Sequence, residues 1–277
     1  MPKHVRASDN ANRAIVTDDP ALPHVYFNLL KLGPGEALEQ TLPTYESVYV
    51  VLSGTADIIV DGERFGEVGK RRDIWSGEAD SVYAPVGSKV RLENATGPVE
   101  IAVAGGLCED DGLKAFRILP GEVSMVDVGS PETHSRRRIF HILGQNGEGR
   151  AGNLLVSELY ADPGCWSGYP PHKHDADRDG ETAHDELYHY RYDPGTGFGA
   201  QIIYADGKAE CFMVQDRDTI LVDRGYHPTV TSPGHRCYIF TILVGKTQRG
   251  LVQHFDDRHA HLMAAIPGIQ SMRDKFK

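Results

Sequence analysis

An internal repeat is the feature that most restricts how this chain of 277 residues can fold. From Glu46 the sequence runs through an apolar stretch, a glycine-containing turn, a second apolar stretch and an Asp-Gly turn, and the same order returns from Glu186. Glu186 lies 140 residues after Glu46, and Gly225, which closes another shared segment, lies 138 residues after Gly87. A nearly constant offset of half the chain is typical of a duplicated structural unit.

The boundary between the two copies is predicted within 125–150, where the sequence becomes polar and rich in glycine at 144–149. We therefore expect an N-terminal domain at 1–135 and a C-terminal domain at 136–277. Each is long enough to bury a hydrophobic core without the help of disulfide bonds.

The local pattern predicts strands rather than helices. Alternating or β-branched runs recur along the chain, and turns rich in glycine, proline and aspartate separate them. Many short strands at regular spacing are typical of an all-β sandwich or barrel. One short helix is expected at 257–265, because Pro267 would end it. The predicted strands are 47–52, 56–60, 99–104, 154–159, 199–204, 219–222 and 237–244.

Charge and composition argue against several classes of partner. The chain has 39 acidic and 29 basic residues and a formal net charge of −10, so we expect no surface for nucleic acid or anionic lipid. No apolar run approaches the roughly 18 residues of a membrane span, and the N-terminus lacks the apolar core of a secretory signal. The four cysteines have no Cys-x-x-Cys spacing, which favours reduced thiols. We expect a cytoplasmic protein that acts on a small molecule.

Histidines are concentrated in the second copy, where they have the spacing of a metal site. His172 and His174 are two residues apart, so on a strand both side chains point to one face. Glu186 opens an apolar strand, and His227 follows a turn further along. Three imidazoles and one carboxylate suit a divalent first-row transition ion and leave positions open for substrate. Glu181 is the alternative carboxylate, but its polar surroundings are more typical of a solvated loop.

These residues resemble the cupin motifs, and the duplication resembles a bicupin, which is two tandem double-stranded β-helix (jelly-roll) barrels. The similarity extends to the 5-deoxy-glucuronate isomerases of myo-inositol catabolism, which share fold and metal motif with the 4-deoxy-L-threo-5-hexosulose-uronate ketol-isomerases. It is carried by Tyr-Pro-Pro-His-Lys-His-Asp from Tyr169, Glu-Leu-Tyr-His-Tyr-Arg from Glu186 and Gly-Tyr-His-Pro from Gly225. The Tyr-Pro-Pro segment and the longer loop after His174 favour the former enzymes.

The resemblance implies one divalent ion per chain (zinc, manganese, iron or nickel), held by the three histidines and Glu186. The first copy fits a cupin scaffold without a metal site. It reads Thr-Leu-Pro-Thr at 41–44, where the paired histidines would fall, and Lys89 stands where the third would fall.

Aldose–ketose isomerisation needs a polarised carbonyl and a group that carries a proton between two carbons. Tyr188 and Tyr190 share the inward face of their strand with Glu186, so they are the candidate catalytic residues. A carboxylate substrate also needs a cation. Strand parity points Arg191 away from the site, and the choice among the nearby cations stays open. The cations closest to the motif in sequence are Lys173, Arg191 and Arg224.

The sequence therefore predicts a metal-dependent aldose–ketose isomerase for a deoxy-uronic acid, with 5-deoxy-glucuronate to 5-dehydro-2-deoxy-gluconate as the specific reaction. Two other classes stay open. One is another metal cupin enzyme, either a dioxygenase or a hexosulose-uronate ketol-isomerase. The other is a non-enzymatic sugar-binding bicupin, against which the complete ligand set argues. A homo-oligomer is expected, because exposed sheet edges commonly pair in this fold.

Overall fold

Short strands make up most of the regular structure in the computed structural model, which describes residues 2–94 and 96–274. The first eleven strands are β1 (Lys3–Val5), β2 (Val25–Leu32), β3 (Ala37–Thr41), β4 (Tyr45–Ser53), β5 (Ala56–Val60), β6 (Glu63–Val68), β7 (Ser81–Ala84), β8 (Lys89–Glu93), β9 (Val99–Leu107), β10 (Phe116–Ile118) and β11 (Ser124–Val128). The others are β12 (Arg137–Leu143), β13 (Leu154–Ala161), β14 (Trp166–Ser167), β15 (His172–Lys173), β16 (His184–Asp193), β17 (Phe198–Ala205), β18 (Lys208–Gln215), β19 (Thr219–Val222), β20 (Thr229–Thr231), β21 (Arg236–Gly245) and β22 (His254–Phe255). The prediction of an all-β chain is confirmed.

The sheets repeat the same strand order in the two halves. In the first half, a five-stranded sheet has the order β10-β7-β4-β9-β2, and a four-stranded sheet has the order β3-β8-β5-β6. In the second half, β19-β16-β21-β13 corresponds to β7-β4-β9-β2, and β14-β20-β17-β18 corresponds to β3-β8-β5-β6. Glu46 on β4 and Glu186 on β16 therefore occupy equivalent central strands.

The larger sheet of the second half includes strands from both sides of residue 135. It has seven strands, in the order β1-β19-β16-β21-β13-β12-β11. Both β1, at Lys3–Val5, and β11, at Ser124–Val128, pair antiparallel within it. The domain limits 1–135 and 136–277 stay a prediction. Two strands from before residue 136, β1 and β11, are hydrogen-bonded into the sheet of the second half.

Each half buries a core between its two sheets, a third core joins the halves, and a fourth packs residues 266–272 against the seven-stranded sheet. The alternation of side chains along β16 shows this division: Tyr188 and Tyr190 pack with Ile203 and Val214 of the facing four-stranded sheet. Leu187 points the other way and packs with residues of the five-stranded sheet. Because strand residues alternate between faces, Glu186 shares the inner face with the two tyrosines. The inner face of the second half therefore presents the candidate site.

A buried ion pair fixes the contact between the halves. Arg71 follows β6, and it donates hydrogen bonds from Nη1 and Nη2 to the two carboxylate oxygens of Glu158, at 3.0 and 2.5 Å. The Tyr238 hydroxyl donates to the same carboxylate at 2.8 Å. The side chains of Arg71 and Glu158 are only 2% and 1% exposed, so water does not screen their attraction.

The C-terminal segment differs from the single helix predicted over 257–265. It forms a 3-10 turn at Asp257–His259, α1 at Leu262–Ala265 and a second helix, α2, at Ile269–Asp274. The Asp256 carboxylate accepts a hydrogen bond from the Arg258 amide and begins the turn. Ile266 is extended, as a residue before proline tends to be, so Pro267 ends α1 and the chain turns before α2. No helix in the described residues is long and apolar enough to cross a membrane.

Candidate metal centre

Three imidazoles converge on one point inside the second half. His172 lies on β15, His174 directly follows it, and His227 precedes β20. One ring nitrogen from each lies within 4.8 Å of the others. All three side chains are at least 95% buried. The fold therefore brings the paired histidines and the later histidine together, as their spacing in the sequence indicated.

Backbone carbonyls orient all three rings in the same way. His227 Nδ1 lies 2.7 Å from the Gly225 carbonyl, and His172 Nδ1 lies 3.2 Å from the Pro170 carbonyl. His174 Nδ1 lies 3.4 Å from the carbonyl of His184. A carbonyl can only accept, so each Nδ1 carries the hydrogen and each Nε2 keeps a lone pair. Metal-binding histidines are typically held in this way.

Glycine 225 is required by the turn that delivers His227. Its φ of +85° is in the left-handed region, and a Cβ there would lie 2.8 Å from the Tyr204 carbonyl oxygen. The Gly225 amide donates to Asp175 Oδ2 at 2.7 Å. This bond ties the turn before His227 to the segment that follows His174.

Glu186 completes the cluster. Its Oε2 atom lies 3.0 Å from Nε2 of both His174 and His227. Burial would raise the pKa of Glu186, but His227 and His174, when they are protonated, outweigh it and hold that pKa well below its usual range. Burial would likewise lower the pKa of His174, and the neighbouring Glu186 carboxylate, which accepts a hydrogen bond from the protonated ring, raises it instead. The site therefore favours a positive charge between these groups, either a proton or a metal ion. Burial and the two neighbouring imidazoles lower the pKa of His172, which keeps this ring neutral.

The donor set fits a divalent cation. With Nδ1 holding the hydrogen, His227 Nε2 is a buried acceptor to which none of the residues that the structure describes donates, and it faces another acceptor, Glu186 Oε2. Two lone pairs 3.0 Å apart repel each other unless a cation or a proton lies between them. Three neutral imidazoles and one carboxylate are a ligand set that zinc and related first-row ions accept. The four residues could therefore hold one such ion.

Glu181 lies outside this cluster. Its buried carboxylate binds Lys173 Nζ at 2.8 Å and Arg178 Nε at 2.8 Å, and it accepts the amide of Asp175 at 2.9 Å. These contacts hold the loop between the paired histidines and β16 in place, so the role of Glu181 in the structure is to stabilise that loop.

The two candidate catalytic tyrosines have different surroundings. Tyr188 lines a cavity together with His172 and Glu186. Burial and then the charge of Glu186 raise the pKa of Tyr188, so its phenol keeps the proton. The Tyr190 hydroxyl instead donates to Gln201 Oε1 at 2.6 Å, within the core between the sheets.

Two further residues of this cavity were missed by the sequence analysis. Gln253 places its amide nitrogen 2.9 Å from His172 Nε2, and no pattern in the sequence marks it. Arg137 lines the same cavity and is 1% exposed. On β12, Arg137 and Ile139 are buried and Arg138 between them is exposed. This alternation places Arg137 on the inner face of the strand, and it is the signal from which its burial could have been predicted.

The equivalent position of the first half binds backbone instead. Glu46 Oε2 accepts the Gly152 amide and the Tyr83 hydroxyl, both at 2.7 Å, and Oε1 accepts the Leu154 amide at 2.9 Å. Gly152 and Leu154 belong to the second half, so this carboxylate joins the two halves.

The chain is similar to characterised families over most of its length. The family model for the KduI/IolB family matches residues 1–262. The 5-deoxy-glucuronate isomerase of Geobacillus kaustophilus (strain HTA426) is 30% identical over 267 residues, which cover 95% of this chain and 94% of that protein. The 5-deoxy-glucuronate isomerase of Geobacillus thermodenitrificans (strain NG80-2) is 32% identical over 246 residues, covering 86% of each.

Solved structures support the same relationship. The crystal structure of an IolB-like protein from Salmonella typhimurium LT2 superposes with a TM-score of 0.80 at 30% identity, covering 86% of this chain and 90% of that one. A Bacillus subtilis oxalate decarboxylase variant matches with a TM-score of 0.59 at 13% identity, covering 92% of this chain and 78% of that chain, and it shows the shared fold alone. The chain belongs to the KduI/IolB family, and it is an enzyme of the isomerase class.

Proposed function

We propose that this chain is a metal-dependent aldose–ketose isomerase that converts 5-deoxy-glucuronate to 5-dehydro-2-deoxy-gluconate. The observation that carries the proposal is the convergence of His172, His174 and His227 with Glu186, beside a cavity that Tyr188 also lines. The curated relatives bear the name of this activity. We propose one divalent transition ion per chain, bound by these three imidazoles and the Glu186 carboxylate.

The bound ion would supply a Lewis acid that polarises a substrate carbonyl. The chain's own residues then have three tasks. Backbone carbonyls hold the imidazoles in one tautomer, the apolar lining from Ile139, Leu159 and Leu243 limits the access of water, and Tyr188 offers a proton. A phenol that keeps its proton can donate a hydrogen bond to a substrate oxygen as charge develops there.

Of the two tyrosines predicted to be catalytic, we propose that only Tyr188 takes part in the reaction. The side chain of Tyr188 lines the cavity, whereas the hydroxyl of Tyr190 is hydrogen-bonded to Gln201 and Thr229 in the core. Tyr190 supports the core behind the site.

The test is an assay of metal-loaded protein with 5-deoxy-glucuronate, run beside 4-deoxy-L-threo-5-hexosulose-uronate and repeated after chelation. We expect turnover of the first substrate that is lost on chelation and restored by a divalent ion. Preference for the second substrate would reassign the enzyme within its family. If neither is turned over and oxygen is consumed with another substrate, the protein is a dioxygenase instead.

The cellular and assembly expectations remain proposals. We propose a cytoplasmic homo-oligomer, since the free cysteines favour a reducing compartment and exposed sheet edges can pair. Light scattering of the purified protein measures the assembly, and a monomer at micromolar concentration would contradict it.

A further inference from the structure

Arg137 carries a buried charge that the described side chains leave without an anion. It begins β12 and is 1% exposed. Its Nη1 donates to the Ser135 carbonyl at 2.9 Å and its Nη2 to the Tyr169 carbonyl at 2.7 Å, while Nε has no hydrogen-bond partner within the described part of the chain. Among the described residues, no carboxylate lies within 4.0 Å of this guanidinium. An unpaired buried cation is costly, and proteins usually pair it.

The charge on Arg137 persists at neutral pH despite this burial. Burial lowers the pKa of the guanidinium to about 10, which is still above the pH of a cell. By comparison, Arg71, the other buried arginine among the described residues, has both Nη atoms on the Glu158 carboxylate. Arg137 has no such carboxylate among the described residues, so it can pair with an anion that enters the cavity.

The guanidinium and the candidate metal ligands line one cavity. Arg137 lines it together with His172, Glu186 and Tyr188. Much of the remaining lining is apolar, including Leu159, Leu243, Leu251 and Met272 of α2. In such surroundings a charge is weakly screened, and a carboxylate opposite the guanidinium gains more than it would in water.

The cations suggested by sequence proximity are engaged elsewhere. Lys173 binds Asp175 and Glu181, and Arg191 binds Glu100 at 3.2 Å on the outer face of its strand. The side chain of Arg224 is 57% exposed, and it does not line the cavity. Arg137 is therefore the cation that a substrate in this cavity meets.

We propose that Arg137 binds the substrate carboxylate and makes the enzyme selective for uronates over neutral sugars. This inference rests on the proposed function, because it takes the substrate to be a deoxy-uronate with its reacting carbons at the imidazoles. A planar guanidinium can bind the two oxygens of a carboxylate with two parallel hydrogen bonds. In 5-deoxy-glucuronate the carboxylate is at the opposite end of the chain from the carbonyl, so Arg137 would orient the substrate without touching the reacting atoms.

The test compares two substrates on the metal-loaded full chain: 5-deoxy-glucuronate and its neutral counterpart with a hydroxymethyl group in place of the carboxylate. The wild type should favour the uronate by about 10- to 100-fold in kcat/KM, the value of hydrogen bonds to a charged group. Arg137→Met should abolish that preference by raising KM for the uronate. The kcat/KM for the neutral substrate should stay within about threefold of the wild-type value. Arg138→Met is the matched control, since this neighbouring side chain is exposed.

The proposal would be overturned if Arg137→Met lowered kcat/KM for both substrates by the same factor. It would also be overturned if elemental analysis showed that the variant had lost its metal. Arg137 would then only support the carbonyls of Ser135 and Tyr169. Arg137→Lys covers the case in which the methionine variant does not fold. A raised KM for the uronate with part of the preference retained supports the inference, and an unchanged KM contradicts it.

Calorimetric titration separates this inference from the proposed function. If the wild type turns over neither substrate, the isomerase proposal fails, but binding can still be measured with the same two compounds. Tighter binding of the uronate that is lost in the Arg137 variants upholds the carboxylate site. Equal binding of the two compounds by the wild type refutes it.

Discussion

Arg71 and Glu158 form a two-point ion pair across the contact between the two halves, and both side chains are almost wholly buried. Glu158→Gln keeps the shape but leaves the guanidinium without its anion, so we expect a loss of about 3–5 kcal/mol in the free energy of unfolding. Urea denaturation measures it. Asp193→Asn, in the exposed pair with Arg236, is the control and should cost about 1 kcal/mol or less. Equal effects would show that the buried pair contributes nothing special.

His174→Ala should remove most of the bound metal and most of the activity while the protein stays folded. The ion adds to cores that each half already has, unlike in small zinc modules that unfold without metal. Elemental analysis and circular dichroism report the two properties separately. Glu181→Gln is the matched control and should keep one ion per chain. A globally unfolded His174→Ala variant would make the site mainly structural.

Tyr188→Phe should lower kcat by about 100-fold or more, because general acid–base groups contribute roughly that much. Tyr190→Phe removes a hydroxyl from the same strand face, two residues away, and should keep kcat within about threefold. It should lower the unfolding midpoint instead, since Gln201 Oε1 loses its donor. Steady-state kinetics and thermal melts of both variants decide this. A reversed pattern would move the catalytic role to Tyr190.

Turnover in deuterated water should place deuterium on the carbon that receives hydrogen. A proton held by a side chain can exchange with solvent before it returns to the substrate, so some deuterium is incorporated, whereas a direct hydride shift retains the original hydrogen. Mass spectrometry of the product measures the incorporation. Complete retention of protium would favour a direct hydride shift, in which Tyr188 only donates a hydrogen bond to a substrate oxygen.

Glu46→Gln should destabilise the protein by about 1–3 kcal/mol and leave its metal content at one ion per chain. Both oxygens of Glu46 accept hydrogen bonds from Tyr83, Gly152 and Leu154, and an amide NH₂ in place of one oxygen would face a donor. Denaturation and elemental analysis provide the two readouts. Two ions per chain in the wild type that fall to one in this variant would indicate a second site in the first half.

Much of the fold could be predicted because its signals are local or periodic. The runs at 154–159 and 219–222 correspond to β13 and β19, and the 140-residue offset corresponds to the shared strand order. The end of the helix before Pro267 was predicted, but the 3-10 turn at Asp257–His259 and the second helix α2 were not, because they depend on a side-chain cap at Asp256 and on the packing of Met272.

The candidate site was predictable where its residues share one strand or one turn. Glu186 and Tyr188 follow strand parity, and the turn before His227 is marked by glycine. Arg137 and Gln253 come from distant segments that meet only after the seven-stranded sheet and α2 have packed. Their approach to His172 is a tertiary property, and a linear pattern centred on the histidines does not contain it.

The pairing of β1 with β19 gives the first residues of the chain a role at the far end of the sequence. Residues Lys3–Val5 cover the edge of β19, which in turn pairs with the strand that carries Glu186. The Ala7 amide and His4 also bind Asp218, just before β19, at 2.9 and 2.8 Å. A second half cut from the chain would expose a bare sheet edge one strand away from Glu186, and bare edges recruit other strands. The half that carries the candidate site therefore depends on the N-terminal strand of the other half for a covered sheet edge.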